Sequence, residues 1–339
     1  MKRMEALLDV KGLSVRFLTQ HGTLTAVDRV KFGIQPRETL ALVGESGCGK
    51  SVTALTIMQL LPREVSRFDG SAIFKGQDIL HLAEPQLRAL RGKEIAMIFQ
   101  EPMTSLNPVF TIGEQIDEAL SAHTSLNARE RCERCQRLLE IVRIGDIPQV
   151  LREYPHRLSG GMRQRAMIAM AVACNPQLLI ADEPTTALDV TIQAQVLKVM
   201  RDLKERLGMS IMLITHDLGV VAEQADRVSV MYAGCLVEVA PVRELFAEPL
   251  HPYTQGLMKA SPRVNSKVNF RNSRLEEIPG NVPSLHKLPP GCAFAPRCRL
   301  CMPHCRAERP VLTEVAKGRS VACFAVISIH AGDQGKSSE

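Results

Sequence analysis

Residues 44–51 combine glycine, lysine and serine at a spacing that suits phosphate binding. They read Gly44-Glu45-Ser46-Gly47-Cys48-Gly49-Lys50-Ser51 and fit the pattern G-x-x-x-x-G-K-[ST]. Glycines let backbone N–H groups turn toward an anion at a helix N-terminus. We expect Lys50 to reach the β- and γ-phosphates of a nucleotide and the Ser51 hydroxyl to bind Mg²⁺. The apolar run Thr39–Val43 and the helical pattern of residues 51–61 flank the motif as a P-loop requires.

Two adjacent carboxylates follow a second apolar run. Residues 178–181 are Leu, Leu, Ile and Ala, and Asp182 and Glu183 come directly after them. A strand that ends here delivers Asp182 to the metal ion of a nucleotide site, which is the Walker-B role. Glu183, one residue later, is placed to polarise an attacking water as a general base. An exposed acid at a strand end is the alternative for Glu183, and the P-loop in the same chain disfavours it.

A serine and two glycines precede a helical pattern between these motifs. Residues 158–165 read LSGGMRQR. Apolar residues then recur at steps of three and four and predict a buried stripe, namely Met162, Ala166, Ala169, Met170 and Ala173. Ser159 and Gly160 would lie at the helix N-terminus, where free N–H groups and the positive end of the helix dipole attract anions. The pattern therefore predicts a second phosphate-binding site in one chain.

The elements that must position these groups alternate between strands and helices. Residues 39–43, 178–181 and 211–215 are short apolar runs, each followed by a helix-compatible stretch. This order predicts parallel strands with covering helices. Residues 228–232 and 235–239 flank Ala233-Gly234 and predict a hairpin. Residues 114–123 and 128–142 predict two helices with no strand between them.

The order of the motifs over residues 8–250 resembles that of ATP-binding-cassette (ABC) ATPases. In that family Ser159, Gly160 and Gly161 match the signature motif, which contacts the γ-phosphate of an ATP held by an opposing subunit. The resemblance implies ATP and Mg²⁺ as cofactors, with Ser51 and Asp182 at the metal ion. It also implies that ATP joins two subunits and that hydrolysis loosens them.

The resemblance assigns roles to four further residues. Gln100, in Ile98-Phe99-Gln100-Glu101, matches the Q-loop, which reaches the Mg²⁺ and couples the nucleotide to a transmembrane partner. Asp189 matches the D-loop. His216, just after residues 211–215, matches the switch histidine, so that Glu183, Gln100 and His216 form the implied catalytic set. Phe17 is placed like the aromatic residue that stacks on adenine, with a core phenylalanine as the alternative.

Three phrases resemble ATPases of bacterial oligopeptide, dipeptide and nickel importers. They are His251-Pro252-Tyr253-Thr254, residues 291–298 (GCAFAPRC) and residues 101–108 (EPMTSLNP). The chain is similar to the first of two paired ATPases in a dipeptide-type importer. The resemblance implies ATP-driven import of di- or oligopeptides. It also implies a second ATPase, two permeases, an extracytoplasmic binding protein and a peripheral location on the cytoplasmic face of the bacterial inner membrane.

Five of the ten cysteines lie close together near the C-terminus, at positions 292, 298, 301, 305 and 323. Zinc needs four ligands and an iron–sulfur cluster commonly takes four thiolates. Spacing alone favours a ligand set made of Cys298-x-x-Cys301-x-x-x-Cys305 and one further residue. The alternative is that these cysteines are buried thiols that bind no metal. The importer resemblance instead implies a [4Fe–4S] cluster on Cys292, Cys298, Cys305 and Cys323, with Cys301 where the family has a small residue.

A second cysteine pair, Cys132-x-x-Cys135, has a simpler interpretation. Cys132, Cys135, Leu139 and Val142 recur at helical steps, which predicts an apolar helix face. No second pair lies nearby in the sequence to complete a metal site.

The composition and the ends of the chain narrow the class of protein. Hydrophobic residues make up 45% and charged residues 23%, which excludes disordered, collagen-like and coiled-coil chains as global descriptions. No stretch reaches the roughly 18 apolar residues of a membrane helix, and the first residues lack the apolar region of a signal peptide. We therefore expect a cytoplasmic protein whose cysteines are buried thiols or metal ligands.

These observations predict an α/β fold, with a P-loop ATPase core, an inserted helical subdomain and a loop-rich, cysteine-containing C-terminal extension. We expect an ATP-binding cassette over residues 1–250, with helices at about 101–160, the extension at 251–330 and a disordered polar tail at 331–339. Eleven of the twenty prolines lie between Pro241 and Pro310, where they resist long helices and central strands.

A charge asymmetry leaves a second function open. Residues 251–339 carry 13 basic and 6 acidic side chains, whereas residues 1–250 carry 29 and 30. A basic end suits nucleic acid, an anionic membrane or an acidic partner, and a solvated face is equally compatible. The alternative is thus a soluble cassette ATPase acting on nucleic acid. The single cassette and the lack of a long heptad run favour the transporter without specific nucleic acid, and residues 159–161 and His216 argue against a small P-loop kinase.

Overall fold

The computed structural model describes residues 5–20, 22–100, 105–186, 188–260 and 277–334, with backbone only for residues 330–334. Its strands are β1 (Leu8–Thr19), β2 (Gly22–Ile34), β3 (Thr39–Val43), β4 (Ser66–Phe74), β5 (Gln77–Asp78), β6 (Ile95–Ile98), β7 (Leu178–Asp182), β8 (Ser210–Thr215), β9 (Arg227–Tyr232), β10 (Cys235–Pro241), β11 (Thr313–Ala316) and β12 (Arg319–Val321). Its helices are α1 (Lys50–Ile57), α2 (Glu84–Leu90), α3 (Ile112–His123), α4 (Ala128–Ile141), α5 (Ile147–Val150), α6 (Gly160–Ala171), α7 (Val190–Leu207), α8 (Leu218–Gln224), α9 (Val242–Ala247), α10 (Pro252–Ala260), α11 (Pro303–Ala307) and α12 (Phe324–Gln334). This alternation confirms the predicted α/β class.

The chain divides into two compact units, each made of several segments. One consists of the described residues within 1–8, 34–39 and 74–214, and we call it the Walker-B unit. The other consists of those within 9–33, 40–73 and 215–339, and we call it the P-loop unit. In the part of the chain that the structure describes, no helix combines the length and the apolar character needed to span a bilayer.

Parallel strands organise the Walker-B unit. Strand β7 pairs with β6, with Ala181 opposite Ile98, and with β8, with Asp182 opposite Ile214. All five residues of β7 are buried, as expected for a strand covered on both faces. The carboxyl ends of these strands meet at one edge of the sheet, where ligands bind in α/β folds. The residues that follow β6 and β7 are therefore brought to the same place.

Helices α3 and α4 confirm the two helices predicted over residues 114–123 and 128–142, with no strand in the described stretch between them. Each begins with a capping box, in which the side chains of Thr111 and Glu114, or of Asn127 and Glu130, bond each other's backbone N–H groups. On α4 the predicted apolar face is confirmed for Cys135, Leu139 and Val142, which are buried. The prediction is wrong for Cys132, which is exposed.

The P-loop unit contains a second set of strands. Strand β3 is parallel to β9, and β9 and β10 form the predicted hairpin through Ala233 and Gly234. Both turn residues have positive φ, 45° and 85°, as a two-residue hairpin turn requires. Strands β2, β1 and β4 are hydrogen-bonded neighbours in that order. The helix predicted over residues 51–61 is shorter, because Gln59 after α1 has left-handed backbone (φ 49°) and Pro62 follows.

The C-terminal residues contain more regular structure than their proline content predicts. Strand β12 pairs with β10, with Val321 opposite Glu238, and β11 pairs with β12. Helix α12 extends to Gln334, so part of the predicted disordered tail is helical, and residues 335–339 lie outside the described residues. The prolines precede this hairpin, which explains why it forms. The division at residue 250 remains a prediction.

Candidate active site and cysteine cavity

The P-loop connects β3 to α1 as its sequence predicts. Gly49 precedes α1 with φ 105°, and a Cβ there would lie 2.6 Å from the carbonyl oxygen of Ala26. Both the left-handed backbone and the close approach explain why glycine is needed at this position. Lys50 is buried, and its Nζ donates to the carbonyl oxygens of Gly44 at 2.8 Å and Glu45 at 3.0 Å. The lysine side chain therefore bends back over the P-loop, where it is predicted to contact the phosphates of a bound nucleotide.

Neighbouring segments of the same unit support the loop from several sides. The N–H of Gly234 in the β9–β10 turn donates to the carbonyl of Cys48 at 3.0 Å. Burial raises the pKa of the Cys48 thiol, so the thiol is uncharged at neutral pH. Its sulfur atom lies 3.8 Å from Lys50 Nζ. The N–H of Glu45 donates to the Tyr253 hydroxyl at 2.9 Å. The sequence motifs gave no indication that Tyr253 contacts the P-loop.

The Walker-B carboxylates occupy the end of β7. Asp182 is buried as the last residue of that strand, and the Glu183 N–H donates to Ile214 of β8 at 2.9 Å. Glu183 has φ 46°, a left-handed backbone that is costly for a residue with a side chain. Its Oε2 accepts from the Thr186 hydroxyl at 2.8 Å and from Gln100 Nε2 at 3.2 Å. Two donors hold this carboxylate in one orientation despite the strained backbone.

The signature residues begin a helix in the same unit. Ser159 caps α6, and its Oγ accepts from the Met162 N–H at 3.3 Å. A Cβ on Gly161 would lie 2.7 Å from Cγ2 of Ile192, and the Ile192 N–H donates to Asp189 at 2.9 Å. The signature and D-loop residues are therefore neighbours. Gly160 is the first residue of α6.

The buried face of α6 differs from the predicted stripe. Ala166, Ala169 and Ala173 are buried as predicted, whereas Met162 and Met170 are only half-buried. Residues buried beyond the prediction are Gln164, Met167 and Ile168. Helix α6 is buried over more of its circumference than a single apolar stripe covers. The predicted stripe assumed that one side of the helix faces solvent, so it missed part of the buried face.

The remaining predicted site residues lie in the P-loop unit. His216 is exposed directly after β8, and Asp217 behind it caps α8 by accepting from the Gly219 N–H at 2.8 Å. Phe17 is half-buried on β1. Ser51 is the second residue of α1. Ser46 and Gly47 lie in the loop between Glu45 and Cys48, and Gly47 has φ 77°. The predicted roles of these residues remain predictions.

The C-terminal cysteines surround a common cavity. It has a volume of about 20 Å³, and the cysteines that line it are Cys292, Cys298, Cys301, Cys305 and Cys323. The Cys292 N–H donates to the Cys305 carbonyl at 2.8 Å. A Cβ on Gly291 would overlap the same carbonyl, so glycine permits the two segments to approach. The folding of this region brings together residues that span 32 positions of the sequence.

The thiols that line the cavity, all among the described residues, do not form a metal-binding group in this structure. Among the residues that the structure describes, no three His, Cys, Asp or Glu side chains converge as a single metal ion requires. Burial raises the pKa of Cys292 to about 11 and also raises the pKa of Cys298 and Cys323. The thiols are therefore protonated here, and metal binding would release protons.

The His-Pro-Tyr segment is a structural anchor. Its backbone is held by Glu238 of β10, whose carboxylate accepts from the N–H groups of Leu250 and His251 at 2.8 Å each. Complete burial lowers the pKa of His251 to about 3, so the ring is neutral, and its Nδ1 accepts from the Tyr253 N–H at 3.1 Å. Tyr253 packs against Tyr232 with ring centroids 4.6 Å apart. These contacts place the Tyr253 hydroxyl at the P-loop.

Two family models match the chain. Residues 27–186 match "ABC transporter", and residues 237–305 match "Oligopeptide/dipeptide transporter, C-terminal region". The first match contains the P-loop, the signature and the Walker-B carboxylates. The second contains the His-Pro-Tyr segment and three of the four predicted cluster cysteines.

Relatives with similarity over nearly the whole chain carry related names. A protein of Sinorhizobium fredii, named "Probable peptide ABC transporter ATP-binding protein", is 53% identical, with 95% of this chain and 96% of that protein covered. The oligopeptide transport ATP-binding protein AppD of Bacillus subtilis is 52% identical, with 95% and 97% covered. A solved dimeric ATP-binding cassette, MJ0796 bound to ADP and phosphate, has a TM-score of 0.63 at 25% identity and covers 70% of this chain and 99% of its own. It confirms the predicted P-loop ATPase fold.

Proposed function

This chain belongs to the ABC-type ATPases that are ATP-binding proteins of transporters, and we propose that it drives peptide import into a bacterial cell. One observation carries the proposal: a cassette match over residues 27–186 is followed in the same chain by a match to the oligopeptide and dipeptide transporter C-terminal region. The S. fredii relative and AppD are named for peptide transport, which supports di- or oligopeptides as cargo. The names give the nucleic-acid alternative no support.

In this proposal the P-loop binds the phosphates of Mg-ATP. Lys50 leaves the carbonyls of Gly44 and Glu45 to contact the β- and γ-phosphates, since a phosphate is a stronger partner than a neutral carbonyl. The Mg²⁺ is bound by Ser51, Asp182 and Gln100. Phe17 stacks on the adenine ring. Backbone N–H groups at the start of α1 complete the anion site.

The hydrolytic step then belongs to Glu183. Its carboxylate takes a proton from the attacking water, while Thr186 and Gln100 fix the orientation of the carboxylate. A fixed base needs no reorganisation during the reaction. Gln100 also senses the Mg²⁺, and His216 stabilises the γ-phosphate. Release of phosphate removes contacts that hold the active arrangement.

A second ATPase subunit completes the site. Ser159, Gly160 and Gly161 present the N-terminus of α6 to an ATP bound by the partner, with Asp189 alongside. That the solved cassette is described as dimeric supports this arrangement. We further propose two permeases and, through them, an extracytoplasmic binding protein, which place the chain on the cytoplasmic face of the inner membrane.

The cavity lined by cysteines is proposed to hold a [4Fe–4S] cluster. Cys292, Cys298, Cys305 and Cys323 would bind it, and Cys301 is the spare thiol. The donor set supports the proposal, because four thiolates are the usual ligands of such clusters. The cluster would supply a cross-link between segments distant in sequence. The redox state has no part in ATP hydrolysis.

Reconstitution tests the proposed function. The chain is purified together with the second ATPase and the permeases encoded beside it, and peptide uptake into vesicles is measured with ATP inside and outside. We expect uptake that depends on ATP on the side of the ATPase, and higher ATP turnover in the complex than in the isolated chain. Equal turnover in a demonstrated monomer would contradict the shared site. A gel shift with a preferred DNA sequence would revive the alternative.

A further inference from the structure

We propose that Arg297 and Tyr253, both outside the cassette motifs, are positioning residues of the P-loop that set its affinity for ATP. The proposal rests on the phosphate-binding role given above to residues 44–51. Arg297 acts by neutralising the carboxylate of Glu45, and Tyr253 acts by holding the backbone of the same residue. The C-terminal region would thereby tune a site that lies 200 and more positions earlier in the sequence.

The contacts on Glu45 come from both residues. The Arg297 guanidinium donates to the carboxylate from two nitrogens, with Nη1 3.0 Å from Oε2 and Nη2 3.4 Å from Oε1. The Tyr253 hydroxyl accepts from the Glu45 N–H at 2.9 Å. The planar guanidinium of Arg297 fixes the Glu45 side chain, and the Tyr253 hydroxyl fixes its backbone amide. Glu45 is therefore held in one conformation.

The region around Arg297 is built to keep it in place. The side chain is only 6% exposed, and Nε and Nη2 also donate to the carbonyls of Pro279 and Ile278 at 3.0 and 3.2 Å. Nη1 lies 3.3 Å from the Tyr232 hydroxyl. Tyr253 is fully buried against Tyr232. The arginine is therefore held before it meets Glu45, and little entropy is lost in the contact.

Charge explains why a P-loop would need such a partner. Glu45 is the second residue of the loop, so an unpaired carboxylate there would repel the phosphates of ATP. Its partner Arg297 cancels that charge in a partly buried site, where electrostatic interactions are stronger than in water. Removal of the arginine would leave this partly buried carboxylate uncompensated. Affinity for ATP should fall, whereas the hydrolytic step at Glu183 is not touched.

The test is a mutant cycle on the purified full chain, with ATP binding measured by calorimetry in EDTA so that ATP is not hydrolysed. We expect Arg297→Gln to raise the Kd for ATP about tenfold. The double variant Glu45→Gln/Arg297→Gln should regain most of the lost affinity, since it removes the repelling charge as well. Arg297→Lys keeps the charge but loses the planar fork, so its Kd should lie between those of the parent chain and Arg297→Gln. Tyr253→Phe should weaken binding less than Arg297→Gln.

Two readouts separate positioning from general damage. The loss in Arg297→Gln should shrink as salt rises from about 0.1 M to about 1 M, because a repulsion between charges is screened. In the assembled ATPase the KM for ATP should rise while kcat stays within about twofold. The matched control is Arg319→Gln, which breaks ion pairs with Glu244 and Glu248 in the same region but not at the P-loop, and should leave the Kd unchanged.

Clear results would overturn the inference. A double variant as weak as Arg297→Gln, a loss that does not depend on salt, or an unchanged Kd in a folded Arg297→Gln would each reject it. A loss in the Arg319→Gln control as large as that in Arg297→Gln would do the same, because it would mean general damage. A parent chain that binds no ATP would instead reject the P-loop assignment and hence the proposed function.

Discussion

The carboxylate of Glu183 accepts a hydrogen bond from Gln100 at 3.2 Å, although 83 positions separate the two residues in the sequence. The pairing of β6 with β7 explains the contact, because each residue lies just beyond the carboxyl end of its strand. Glu183 also has a left-handed backbone, at φ 46°. A strained carboxylate with fixed donors is typical of a functional group.

Replacement of Glu183 by Gln should separate binding from hydrolysis. We expect Mg-ATP binding to persist, because Asp182 and Ser51 are unchanged, and turnover to fall by about 10²–10³-fold through loss of the base. Steady-state phosphate release from the assembled complex measures it. Glu205→Gln on the exposed face of α7 is the control and should keep full activity. Near-normal release from Glu183→Gln would reject the general-base role.

Replacement of Lys50 by Ala should differ by losing ATP affinity. In the structure Lys50 Nζ contacts the carbonyls of Gly44 and Glu45, so it lies within the loop that it is proposed to serve. Loss of one cation from a phosphate site should raise the Kd at least about tenfold. Equilibrium binding with a fluorescent ATP analogue measures the effect. Lys198→Ala, at an exposed position of α7, provides the comparison, and an equal effect of both would argue against the site.

The cysteine proposal predicts the metal content. Protein purified without oxygen should be brown and contain iron and acid-labile sulfide in equal amounts. Single Ser replacements of Cys292, Cys298, Cys305 or Cys323 should lose iron and destabilise the C-terminal region. Cys301→Ala is the control from the same cavity and should retain iron. Stoichiometric zinc without iron would reject the cluster but keep a metal site, and the absence of both metals would leave buried thiols.

Gly291→Ala should loosen the cysteine region without removing a thiol. The added Cβ would overlap the Cys305 carbonyl and lie 2.7 Å from the Arg306 carbonyl carbon, so the backbone must shift. We expect a loss of about 1–3 kcal/mol in unfolding free energy, as for other overpacked sites. Denaturant unfolding and limited proteolysis measure it. Gly145→Ala has open space around its Cβ and should change stability little. Similar unfolding of the two variants would contradict this packing.

The helical cysteines should differ in reactivity. Cys132 is exposed, whereas Cys135 is buried, and burial followed by the nearby Asp117 raises its pKa to about 11. Because the thiolate is the reactive form, a maleimide at pH 8 should label Cys132 first. Labelling of Cys135 should become faster as the pH rises toward 11. Mass spectrometry of Cys132→Ser and Cys135→Ser variants distinguishes the sites. Equal rates at pH 8 would contradict the assigned burial.

The sequence by itself determined the class of protein and the chemistry available to it. Eight consecutive residues define a P-loop, because phosphate binding needs glycines, a lysine and a hydroxyl at fixed spacing along one strand–helix turn. The same holds for Asp182 and Glu183, which depend on a single strand. Such motifs are local, so their residue order carries the information. The hairpin around Ala233 and Gly234 and the caps of α3 and α4 are local in the same sense.

Only the tertiary structure decided which distant residues meet. The pairing of β10 with β12, the contact of Arg297 with Glu45 and the common cavity of the cysteines all join segments far apart in sequence. Strand pairing and charge pairing depend on where the chain returns, and no local spacing encodes that. The strain at Glu183 belongs here as well, since it is held by hydrogen bonds from outside its own segment. Local patterns therefore predicted the motifs, and the packing of remote segments decided how they are held.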